Sequence, residues 1–146
     1  MNTFNRYLIH FGIIGSVVFI IFFILIMIDG GKLVNPLFLS VIVLLDLFFV
    51  FFMTLFFYAV AKPVSITFTV KDRQALINEL SEVASKKWKR NNKVETKETC
   101  SFEFGNKYKD WLATPIEFIF EDEKCTAIVP SYYQEDVLRI NRKLRD

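Results

Sequence analysis

Asp46 is the only formally charged residue in the run Leu37 to Ala61, LFLSVIVLLDLFFVFFMTLFFYAVA. A carboxyl group in such surroundings has three chemistries open to it. It can donate a hydrogen bond within its own chain, contact another subunit or partner helix, or take up and release a proton or cation. An acid at membrane depth is costly and is usually neutralised, hydrogen-bonded or functional. At 1.5 Å per residue Asp46 lies about 14 Å along a helix begun at Leu37, close to the midplane of a bilayer. An antiparallel first helix would match its depth at Phe19, with Ser16 about one turn away as the nearest polar partner. Gly12 and Ser16 form a small-xxx-small pair with Gly15 beside them, a pattern that lets helix backbones approach closely. His10 is about 13 Å from that depth, out of reach without a register shift.

The second cluster is basic and aromatic: Lys86, Lys87, Trp88, Lys89, Arg90 and Lys93. Cations at the end of a helix are favoured by its dipole, which is the ordinary reading. The functional reading is contact with anionic lipid or with a partner, Trp88 lying at the interface and Arg139, Arg142, Lys143 and Arg145 adding to the face. Enzyme motifs are missing. With His10 the only histidine, the segment after the apolar runs has no Ser-His-Asp or Cys-His pair and no His-rich metal site. Neither phosphate-binding glycine motif occurs. Glu121, Asp122 and Glu123 read as a solvated turn. The expectation is a non-enzyme without metal or cofactor.

These residues need elements to hold them. Tyr7 to Ile28 and Leu37 to Ala61, 22 and 25 residues, span about 33 and 37 Å as helices, enough to cross a hydrocarbon core of about 30 Å. The first run is too long for a signal peptide and no A-x-A site follows it. Gly30, Gly31, Asn35 and Pro36 suit a tight reversal between the two helices. Basic residues near the membrane ends number four, Arg6, Lys62, Lys71 and Arg73, against Lys32 alone on the other side. The expected location is therefore the cell membrane, with two passes and both termini cytoplasmic.

After Pro63 the period changes. Val64 to Val70 alternates as a half-buried strand, Asp72 caps a helix to about Arg90, and Val94 to Phe104 reads as one strand before a Gly105-Asn106 reversal. Lys107 to Thr114 stays open between strand and turn. Ile116 to Glu121 and Lys124 to Val129 form a hairpin, and Ser131 with Gln134 is a capping box for a last helix. The expected fold class is a membrane α-helical hairpin over 1–62, with helices about 7–28 and 37–61, plus a small cytoplasmic α+β domain over 63–146 in the order β-α-β-β-β-α. From Lys62 onward 16 basic residues face 14 acidic ones, which excludes a nucleic-acid-binding charge balance. Cys100 and Cys125 should be reduced in the cytoplasm, whereas an outward-facing domain would let them form a disulfide that reports topology.

A hairpin with a carboxyl in its second helix resembles the ring-forming subunit of rotary ATPases, but the first helix lacks alternating glycines and the loop lacks Arg-Gln-Pro. The tail from Ile116 to Leu144, a hairpin, then Pro130 and a capped helix, resembles the end of bacterial pleckstrin-homology-like domains that occur beside two transmembrane helices. That resemblance carries no diagnostic motif, and too few strands are visible upstream for the fold. The leading expectation is a membrane-anchored interaction or accessory protein, such as an immunity protein or a subunit of a membrane complex. Its partners are the lipid bilayer and another membrane protein or further copies of itself. Proton or cation transport through Asp46, and lipid recognition at the membrane surface, are the alternatives.

Overall fold

The computed structural model describes residues 2–28 and 35–145, with no side-chain detail for residue 145. The expected reversal over 29–34, Lys32 included, and the side chain of Arg145 lie outside the described residues. The chain divides between residues 59 and 60 into two units.

The first unit holds α1, Thr3–Ile28, and α2, Pro36–Ala61, which ends just past the division. Asn2 and Asn35 open these helices: their side-chain oxygens accept from Asn5 N at 2.9 Å and Leu37 N at 3.0 Å, satisfying donors that a helix start leaves free. At 26 residues each the helices are about 39 Å long. Both are long and apolar enough to cross a membrane, and they leave large apolar side chains bare, Leu37 at 73% and Phe48 at 68%. One seam is covered, and it repeats every fourth residue. Tyr7, Phe11 and Gly15 are buried on α1, Val50 and Thr54 on α2, with Phe57 packed on Tyr7 and Phe11 at 6.0 and 5.1 Å between ring centres.

The second unit is an α+β domain with a five-stranded antiparallel sheet in the order β1-β5-β4-β3-β2. Its elements are β1 Pro63–Thr69, α3 Arg73–Val83, β2 Asn92–Glu95, β3 Thr99–Glu103, α4 Lys107–Leu112, β4 Glu117–Glu121, β5 Lys124–Pro130 and α5 Gln134–Arg145. Alternate strand residues point to one face, where Cys100, Phe102, Phe118, Cys125, Ala127 and Val129 meet Leu76, Ile77 and Leu80 of α3 and Val137 and Ile140 of α5. Asp72 caps α3, accepting from Ala75 N at 3.0 Å.

The expected order β-α-β-β-β-α is corrected to β-α-β-β-α-β-β-α. Val94 to Phe104 is not one strand but the hairpin β2–β3. Its turn, Thr96-Lys97-Glu98, has no Gly, Pro, Asn or Asp to betray it; the Thr96 hydroxyl accepts from Thr99 N at 3.0 Å instead. Gly105-Asn106 is not a hairpin turn either. Gly105 takes φ 74° and Asn106 caps α4, its side chain accepting from Tyr108 N and Lys109 N at 3.1 Å each. The Ser131 hydroxyl does not close a capping box; a 3-10 turn, Ser131–Tyr133, precedes α5, and the hydroxyl donates elsewhere. The disulfide raised for an outward-facing domain is out of reach as well. Cys100 on β3 and Cys125 on β5 have β4 between them, a separation of about 9.6 Å for two strand spacings, beyond the ~7 Å limit for bridging.

Candidate functional site

Asp46 and Gly15 are in contact across the seam of the first unit. A Cβ built on Gly15 would stand 3.0 and 3.1 Å from the two carboxyl oxygens of Asp46 and 2.7 Å from Val50 Cγ2. Only a glycine admits α2 this close. Gly12, the other glycine on α1, has nothing within 4 Å of its would-be Cβ. Ser16 is exposed and donates its hydroxyl to Gly12 O at 2.8 Å, within its own helix. The expected Ser16–Asp46 partnership is therefore not made, and Thr54 is likewise turned back to Val50 O at 2.7 Å. Asp46 is half-buried and lines a lateral groove with Ile42, Leu45, Phe49 and Phe19. Among the described residues no side chain donates to its carboxyl group.

The basic aromatic cluster does not form one face. A π-helical turn, Ala84–Trp88, follows α3, and Lys89 ends it at φ 57°, with Arg90 N donating to Ala84 O at 2.9 Å. The extra residue in that turn rotates the sequence relative to a regular helix. Trp88 and Arg90 are buried, at 2% and 3% exposure, so neither can lie on lipid as expected. Trp88 packs on Tyr133 and Phe102 and donates its indole N–H to Asp136 Oδ2 at 3.2 Å. Lys86 pairs with Glu82, Lys87 with Asp136 and Lys93 with Glu95, at 2.7, 2.5 and 2.9 Å. Arg139 and Lys143 are paired as well, with Asp136 and Glu79, and Arg142 lies 4.0 Å from Glu135. Lys89 is exposed.

Arg90 works inside the domain. Its guanidinium donates to Phe102 O at 3.1 Å and Thr114 O at 2.8 Å and lies 4.4 Å over the Phe104 ring. Burial lowers its pKa, against the opposing pull of Tyr132, Tyr133, Asp110 and Glu103. Its role is to fasten the loop after α4.

That loop and the 3-10 turn before α5 carry a feature the sequence reasoning missed. The Thr114 hydroxyl donates to Ala61 O, and the Ser131 hydroxyl donates to Val60 O at 2.6 Å. Ser131 N also donates to Lys62 O at 3.0 Å. The last carbonyls of a helix lack partners within it; here two loops of the domain supply them. Thr114, at 1% exposure, is buried for this purpose. No motif announces such a contact, because its donors lie 53 and 71 residues along the chain from their acceptors.

No family model, curated protein or solved structure matches the chain.

Proposed function

We propose that the chain is a membrane-anchored interaction protein, whose helical hairpin spans the cell membrane twice, with both termini cytoplasmic, and assembles laterally with further copies of itself or with a second membrane protein. The observation that carries this reading is Asp46. Its carboxyl group is half-buried beside Gly15, lines a groove open to the side, and receives no hydrogen bond from the described residues. A polar group at membrane depth has no water to turn to, so a donor from outside the hairpin is worth about 1–2 kcal/mol or less in membrane systems, enough to select a partner. The non-enzymatic reading is supported by Asp136, Arg90, Thr114 and Ser131 of the second unit, whose polar groups are engaged in packing and anchoring.

The test is purification from native membranes in mild detergent, recording mass and co-purifying proteins for wild type, Asp46→Asn and Asp46→Leu. A defined complex larger than one chain, kept by Asn and lost by Leu, supports the reading. A wild type that runs alone as a single chain, or a complex indifferent to both changes, overturns it.

A further inference from the structure

Among the described residues beyond Ala61, the large apolar or aromatic side chains that remain exposed are Val94 at 44%, Tyr108 at 54% and Tyr132 at 50%. Two of these three adjoin the loops that hold the end of α2. Tyr132 directly follows Ser131, whose hydroxyl reaches Val60 O. Tyr108 stacks on Trp111, ring centres 5.9 Å apart, and Trp111 is three residues from Thr114, whose hydroxyl reaches Ala61 O. Three residues extend at most about 11 Å and one about 3.8 Å. α2 is about 39 Å long, so the carbonyls of Val60 and Ala61 emerge a few ångströms beyond a hydrocarbon core of about 30 Å. They end in the headgroup layer, where Trp and Tyr are enriched because one side of the ring is apolar and the other polar.

We infer that Tyr108, Trp111 and Tyr132 form a foot of the second unit that rests in the headgroup layer of the bilayer from which α2 emerges. The ligand is the phospholipid surface itself. Lys62, Lys107 and Lys109, all exposed and each within the same short stretches of chain, supply cations facing anionic headgroups. The foot replaces the basic cluster around Trp88 as the lipid-contacting surface, and it accounts for the exposure of the Tyr108 and Tyr132 rings. This inference rests on the membrane reading above.

The chain has two tryptophans, and they serve as opposite probes, because Trp88 is enclosed in the core at 2% exposure. Full-length wild type and Trp111→Phe are reconstituted into vesicles whose lipids carry a nitroxide quencher at the headgroup or at the top of the acyl chain. Wild-type emission is expected to be quenched by these shallow quenchers, and emission of Trp111→Phe is not. Vesicles that float with the protein but leave wild-type emission unquenched overturn the foot and leave the membrane reading standing. Equal quenching of both proteins also overturns it, since Trp88 would then be the residue at the lipid. A chain that does not float with vesicles at all overturns both.

Discussion

The indole N–H of Trp88 donates to Asp136 Oδ2 at 3.2 Å, tying the π-helical end of α3 to the first turn of α5. Burial works to raise the Asp136 pKa, but hydrogen bonds from Lys87 and Trp88 and the charges of Lys87 and Arg139 outweigh it and hold the carboxyl below its usual range. A depressed carboxylate contributes stability that is present above its unfolded pKa of about 3.9 and is lost as pH falls through the lower folded value. Wild type should therefore weaken below about pH 4, and Asp136→Asn should show a flatter acid limb. Asp136→Leu leaves the buried indole donor without an acceptor and should cost about 1–3 kcal/mol at neutral pH. Thermal unfolding followed by tryptophan emission checks both.

Glycines 12 and 15 should behave differently. A methyl group at Gly15 meets Val50 Cγ2 at 2.7 Å and both Asp46 oxygens, whereas one at Gly12 meets nothing. Gly15→Ala should destabilise the hairpin by about 1–3 kcal/mol through overpacking, and Gly12→Ala should be neutral. Helix–helix energy transfer between α1 and α2, titrated with denaturing detergent, separates the two outcomes.

The thiols should be inert in the folded chain. Burial pushes Cys100 up to about 11 and Cys125 up to about 12, so neither forms thiolate at neutral pH. Maleimide labelling should be slow until the domain is unfolded and then modify both residues. Oxidising conditions should produce no intramolecular bridge, since β4 separates the two strands.

Lys89 holds a left-handed conformation, φ 57°, at the end of the π-helical turn. For an L-residue that costs about 1–2 kcal/mol, and a β-branched side chain fares worst. Lys89→Val should lower the unfolding midpoint of the domain, while Lys89→Gly, which suits this position, should hold or raise it. Calorimetry of the two variants beside wild type checks the sign.

Elements with a strong local signal were legible in the residues. Two long apolar runs, the alternation of Val64 to Val70 and the Asp72 cap all have their own local cause. The hairpin at Thr96 to Thr99 was not legible, because its turn is made by a threonine hydroxyl. Nor was the π-helical turn, since no residue type between Ala84 and Trp88 marks it. The inner face of α1 was hidden for another reason. A helix apolar on every side carries no contrast to mark its seam, so Gly12 and Ser16 looked as suitable as Gly15. Thr114 could not be singled out at all, and Ser131 only as a helix cap, because their partners are backbone carbonyls remote in sequence.

The central claim, that Asp46 marks a lateral contact with another chain, is tested most directly by cross-linking from Phe49, which is 47% exposed and lines the same groove. A photoreactive residue at position 49, activated in native membranes, should give one discrete cross-linked protein band that Asp46→Leu abolishes and Asp46→Asn retains. Lipid adducts alone from the wild type, or a band that persists unchanged in Asp46→Leu, would contradict the account.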